Sequence, residues 1–187
     1  VGGAISALGG SGNVVGSDGR VTLQAAVSGA IAQADGANEI ASGELVIAST
    51  HGTVNLDDVT NAFGAVSATL TGSTSTLSIK NSINMVVGID ETGSGLVGLT
   101  TNNGSITLES PGSVQIDAAV ASQGGSFTST GTDFSNMVSI ATVGGAVNLN
   151  GQTGNINIDA AITTAGGVFD ANNGSAFDAS GVTISTA

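Results

Sequence analysis

Apolar and polar positions alternate in short runs along most of the chain. Val21-Thr22-Leu23, Val54-Asn55-Leu56, Ile106-Thr107-Leu108, Val114-Gln115-Ile116, Val147-Asn148-Leu149, Ile156-Asn157-Ile158 and Val182-Thr183-Ile184 each carry two aliphatic side chains around one small polar residue. A period of two puts the aliphatic pair on one face of a strand and the polar residue on the other. Gly, Asn and Ser–Gly pairs lie between the runs, where turns are needed. Helix signals are weak, because Gly interrupts every long window and β-branched residues dominate between the glycines. The best helical segment, Gln24 to Ala34, is itself broken by Gly29.

A repeat orders these runs. Residues 112–127, GSVQIDAAVASQGGSF, recur as GNINIDAAITTAGGVF at 154–169, with eight of sixteen positions identical. The offset of 42 residues divides into halves. Strand-like runs fall near 106, 127, 147 and 168, near 114, 135, 156 and 177, and near 120, 140, 162 and 184. Three interleaved series with a common step of about 21 describe a coil of three short strands. Stacked coils give three parallel sheets around one core: an all-β, right-handed parallel β-helix (a β-solenoid). Phe127 and Phe169 occupy equivalent places, as do Phe134 and Phe177. Nine coils at this step predict a rod on the order of 40 Å long. Residues 1–187 read as one domain: 1–100 as less regular coils and 101–187 as the regular 42-residue double coil. Loop insertions are expected around Asp35–Ser42 and Thr71–Asn84.

Composition fits a stacked fold. Only 9% of the 187 residues are charged, against roughly a quarter in an average protein. Hydrophobic residues still reach 40%, enough for a core. In a stack, like charges on neighbouring coils repel, so Ser, Thr and Asn are favoured on the outward faces. Fourteen acids against Arg20 and Lys80 give a net charge of −12. That balance excludes nucleic acid and anionic lipid as partners, since both are recognised through Lys and Arg. No apolar run is long enough to span a membrane as a helix, and no Cys is present to form a disulfide. The chain opens Val1-Gly2-Gly3 rather than with Met, as a processed product or an internal segment does.

TNNGSITLESPGSVQIDAAVASQGGSFTSTGTDFSN, followed by GNINIDAAITTAGGVFDANNGSAFDASGVTIST, resembles the repeats of filamentous-haemagglutinin-like adhesins and related β-strand-repeat bacterial surface exoproteins. The resemblance rests on the INIDAAI–GG–F pattern and covers roughly residues 98–187. It implies secretion to the cell surface and a structural role in adhesion, coating or a stalk.

Catalytic chemistry finds little support in the same residues. A carbohydrate-active β-helix needs clustered carboxylates, cations to stabilise charge and aromatics to stack on sugars. The adjacent acids Asp57–Asp58 and Asp90–Glu91 read as solvated turn acids, because neighbours on a strand face opposite ways. His51, the only histidine, reads as a turn residue, and no GxSxG elbow accompanies it. The expectation is no catalytic, cofactor-binding or metal-ligating residue. Calcium at acidic turns is the one cofactor left open, although Gly9-Gly10-Ser11-Gly12 leads to Val14 where the β-roll signature needs Asp. Asp117 and Asp159 share a repeat position and read as turn formers. The glycines at 9–12, 124–125 and 166–167 read as turns, not phosphate loops. The sequons Asn103-Gly104-Ser105 and Asn173-Gly174-Ser175 read as Asn–Gly turns. Thr74, Thr76, Thr128 and Thr130 do not recur at one coil position often enough to make an ice-binding ladder.

The function expected is therefore structural and extracellular: a filament-forming subunit or stalk segment of a surface adhesin. It would associate end to end through open coil edges near Val182–Ala187, or stack on flanking repeats. The alternative is a glycan- or receptor-binding β-helix using an outward ladder or the irregular residues 35–84.

Overall fold

Each strand run of the repeat lies directly over its counterpart one coil away. The computed structural model describes residues 5–8, 12–17, 19–25, 29–33, 39–49, 52–90 and 96–187. Among these there is no helix, and parallel sheets form a β-solenoid of about 7 turns with roughly 22 residues per turn. Seven turns replace the nine expected, because the count by length took an N-terminal antiparallel hairpin and an inserted hairpin for coils. Gln24 to Ala34, the best helical segment in the sequence, falls on strands Arg20–Ala25 and Ala30–Gln33 with undescribed residues between.

The first sheet runs through Ala30–Gln33, Val54–Leu56, Leu77–Lys80, Ile106–Glu109, Phe127–Thr130, Val147–Asn150 and Phe169–Asn172. The second runs through Met85–Val87, Val114–Ile116, Phe134–Asn136, Asn155–Ile158 and Ala176–Asp178. The third runs through Leu99–Asn102, Val120–Ala121, Ile140–Ala141, Ile162–Thr163 and Ile184–Ser185. Pairing joins Ile106 to Phe127, Phe127 to Val147 and Val147 to Phe169. Val114, Phe134, Ile156 and Phe177 are joined in the same way, as are Val120, Ile140, Ile162 and Ile184. These are the three predicted series.

Nearer the N-terminus a coil holds two strands instead of three. Ala41–Ser49 and Ala62–Ser73 each run through the second and third faces without a break. The corner survives only as three consecutive buried residues, Leu45–Ile47 and Val66–Ala68. Ala62–Ser73 then feeds both later sheets: Ala65 and Val66 pair with Val86 and Val87, while Ala68 and Thr69 pair with Leu99 and Thr100.

The expected insertion at Thr71–Asn84 is absent, since strand Ala62–Ser73, a turn and strand Leu77–Lys80 follow in regular order. Its Ser and Thr residues occupy outward and turn positions of an ordinary coil. The extra residues come later, as an antiparallel hairpin of Ile89–Asp90 with Leu96–Val97. It stretches the step from Leu77 to Ile106 to 29 residues, against 21 from Ile106 to Phe127. Of the other expected insertion, 35–38 lie outside the described residues, while Ala41 and Ser42 already belong to a strand.

The core is a set of aliphatic columns, and its large side chains explain the doubled repeat. Phe127 and Phe134 pack inside one coil with ring centroids 6.5 Å apart, and Phe169 and Phe177 do so two coils on at 6.2 Å. The coil between them carries the smaller Val147 and Ile156 at the same positions. Alternating large and small layers fills the core at constant coil spacing.

At the corner between the third and first sheets the backbones nearly touch. Gly52, Gly104, Gly125, Gly145 and Gly167 form a column with Ser75, and a Cβ on any of these glycines would overlap the backbone of the coil before it. Beside them runs a column of buried hydroxyls. Thr101, Ser122, Thr142 and Thr164 each donate to the carbonyl three residues on, at Gly104, Gly125, Gly145 and Gly167. The two residues spanned must turn tightly. Val143 and Gly144 both have positive φ (50° and 101°), as do Ala165 and Gly166 (48° and 102°). A β-branched residue at positive φ is strained by about 1–3 kcal/mol.

Opposite effects are therefore expected two residues apart. Gly145→Ala should lose about 1–3 kcal/mol through overpacking, while Val143→Asn should gain about 1 kcal/mol because Asn tolerates positive φ. Urea midpoints with an unchanged slope would measure both.

Candidate functional site

The side chains available for recognition are those that alternate outward. On the first sheet one outward column reads Asn55, Ser78, Thr107, Thr128, Asn148 and Asp170, and the next reads Lys80, Glu109, Thr130, Asn150 and Asn172. The rungs contact one another: Asn148 Nδ2 lies 3.5 Å from Thr128 Oγ1, and Thr76 Oγ1 donates to Thr53 Oγ1 at 3.3 Å. This face is hydroxyl- and amide-rich and almost neutral. Its one cation, Lys80, lies 3.3 Å from Glu109, the residue stacked directly on it. Arg20 pairs in the same way with the stacked Glu44 at 2.6 Å. Both cations of the chain thus neutralise an acid one coil away.

The remaining described acids lie mainly at corners and turns. Asp57 accepts from Asn55 Nδ2 at 3.0 Å, and Asp58 Oδ1 caps Thr60 through its N–H at 2.9 Å and its hydroxyl at 2.7 Å. Asp117 accepts from Gln115 Nε2, and Asp133 accepts the N–H of Asn155 at 2.8 Å. Asp178 is held by the hydroxyl and N–H of Ser180, which keep its carboxyl below the ordinary range. Asp117 and Asp159 sit at equivalent corners two coils apart with Met137 between them, so the shared repeat position does not bring them together. Asp58 opens a turn, its carbonyl accepting from the Asn61 N–H at 3.2 Å, as the sequence suggested, whereas Asp90 lies in the strand Ile89–Asp90 and not in a turn. His51, Glu91 and Asp35 lie outside the described residues. Among the described residues no three His, Cys, Asp or Glu side chains converge as a metal site.

A groove of about 230 Å³ lies at the corner between the first and second sheets. Val59, Lys80, Asn81, Glu109, Ser110, Pro111 and Gln152 line it. Its serine is already engaged, since the Ser110 hydroxyl donates to the Ile83 carbonyl at 2.6 Å. The groove therefore offers one ion pair and two apolar side chains, Val59 and Pro111, with no positioned base or nucleophile.

Behind it lies a buried amide cluster that sequence reasoning missed. Gln33 and Asn61 exchange two hydrogen bonds of 2.8 Å, and Asn61 Oδ1 also accepts from the Ile40 N–H at 2.9 Å. Asn81 acts as a surrogate peptide: it accepts from the Phe63 N–H at 3.0 Å and donates to the Phe63 carbonyl at 2.9 Å. The hydroxyl column was also missed, although [ST]-x-x-G at 101–104, 122–125, 142–145 and 164–167 is visible once the coil step is known.

The Asn–Gly sequons are tight turns, as expected, with Asn103 and Asn173 both exposed at φ 60°. The glycine pairs at 124–125 and 166–167 belong to the corner turns described above; of the cluster 9–12, residues 9–11 lie outside the described residues and Gly12 begins the strand Gly12–Ser17, not a turn. The last feature is the final coil. Phe169–Asn172, Ala176–Asp178 and Ile184–Ser185 are the outermost members of their sheets, and Phe177 is half exposed.

No protein-family model, curated protein or solved structure matches the chain.

The ion pair and the amide cluster should contribute very differently to stability. Lys80→Met should change it by less than about 1 kcal/mol, since partly exposed pairs contribute little. Asn81→Leu should cost about 2 kcal/mol or more by stranding the buried Phe63 N–H and carbonyl. Urea unfolding of the two variants side by side checks the contrast.

Proposed function

We propose that this chain is an extracellular structural β-solenoid, acting as a stalk segment or filament-forming subunit of a secreted bacterial surface adhesin. The observation that carries the reading is the stack itself: all three sheets add coil by coil in one direction, and Phe169–Asn172, Ala176–Asp178 and Ile184–Ser185 form the edge of the last described coil. Inside that edge Phe169, Ala171, Ala179, Val182 and Ile184 are only partly buried against the core. Such a surface is satisfied by one more coil, supplied by flanking repeats or by a second copy. The resemblance of residues 98–187 to adhesin repeats supports the same reading, as does an outward surface nearly free of basic side chains. In this reading coils act through length and stiffness, and catalysis has no part.

A second reading is favoured by the first sheet. Its neutral hydroxyl and amide ladder, on a molecule of net charge −12, suits an uncharged glycan better than a charged partner. Here Thr128→Lys would abolish retention on neutral polysaccharide while leaving self-association intact.

For the main reading, the chain at rising concentration should form end-joined particles in sedimentation and electron microscopy. Ile184→Lys, which places a charge at the open core, should weaken that association at least about 10-fold. A chain that stays a single monomeric species at every concentration would contradict the reading.

A further inference from the structure

We propose that Ile5–Leu8 and Gly12–Ser17 form a cap that closes the first coil against pairing with another solenoid edge. Coil-on-coil pairing is parallel throughout the described rod. At the N-terminal end it changes direction: Gly12–Ser17 lies antiparallel on Arg20–Ala25, from Gly12↔Ala25 to Ser17↔Arg20. Ile5–Leu8 lies antiparallel on Ala30–Gln33, from Ile5↔Gln33 to Leu8↔Ala30. Both strands of the first coil are thus covered on the side where a further parallel coil would otherwise add.

The local cause is in the sequence. Only Asp18 and Gly19 separate the paired residues Ser17 and Arg20, and Gly19 has a φ of 79°. Asp–Gly between two strand-like runs is the strongest short-range signal for a hairpin. Its closure is intramolecular over a few residues, so it competes well with a second chain, which must lose translational freedom to pair. The covering strand is also a poor template in its turn. Its sequence GNVVGS includes two glycines and an asparagine, residues that disfavour strand extension. The cap therefore holds the first coil closed, and a head-to-tail stack grows on this edge only once the cap is displaced.

This inference rests on the preceding reading only in treating coil edges as the surfaces that associate, and its test blocks the last coil. In the Ile184→Lys chain, the double substitution Asn13→Pro and Val15→Pro removes two backbone donors from the covering strand. Sedimentation should show one species for Ile184→Lys alone and association for the proline variant. A synthetic peptide of residues 1–19, added in excess, should return the proline variant to one species. Amide exchange across 106–185 reports whether the coils stay folded. A proline variant that remains a single species, association that the peptide does not reverse, or loss of protection throughout the coils would each overturn the proposal. Failure of Ile184→Lys to reduce association of the capped chain would instead count against the open final coil, and the peptide comparison would still decide the cap.

Discussion

Everything in this molecule follows from stacking coil on coil at the spacing of a β-sheet. Adjacent strands lie about 4.8 Å apart, so each residue of a coil sits over a counterpart some 20 to 23 residues away in the regular part. That spacing leaves little freedom to displace a misfit, and most positions become columns of related chemistry. Where backbones nearly touch, the column is glycine. Inward columns are aliphatic or aromatic, with large layers alternating with small ones. On the outside, hydroxyls and amides dominate, and both cations lie over acids.

A rod of this kind must also satisfy polar groups at its corners, where ladder pairing bends. Thr101, Ser122, Thr142 and Thr164 do so with hydroxyls turned inward onto a carbonyl three residues on. Asn61 and Asn81 do so with side-chain amides that extend the pairing between coils. Asn136 interrupts the aliphatic column of Val87, Ile116 and Ile158. Its Nδ2 holds the Ala160 carbonyl at 2.9 Å, while its Oδ1 lacks a partner. Such devices specify register, because slipping a coil by one residue would bury polar columns and expose apolar ones.

Antiparallel strands cover the first described coil, and in the last one Phe169, Ala171 and Ile184 are only partly buried against the core. Along the sides the first sheet is nearly neutral, and acids gather at corners. Molecules built this way make contact through ends, ladders and projecting turns, which is the sense in which a structural role and glycan recognition are compatible readings of the same surface.

The coil itself was legible in the linear chain. Period-two runs, the 42-residue repeat and its halving located all three strand series of residues 106–187, because a fold made of local repeats writes its contacts into the spacing of the chain. Asp58, Asn103 and Asn173 were recognisable as turn residues, since turn chemistry is local. The rest depended on how the coils stack. Buried amide positions cannot be read from spacing: Gln33, Asn61 and Asn81 look like surface polar residues until Gln33 and Asn61, 28 residues apart, prove to be joined by two reciprocal hydrogen bonds. Ala62–Ser73 runs straight where later coils bend, and the inserted hairpin follows Gly88 instead of lying in the Ser/Thr-rich segment before it. Outward ladders and loops share one composition, so only the stack distinguishes them. The Asp18-Gly19 hairpin signal was present in the sequence, but that its strand would reverse direction and cover the first coil depended on which edge was left unpaired.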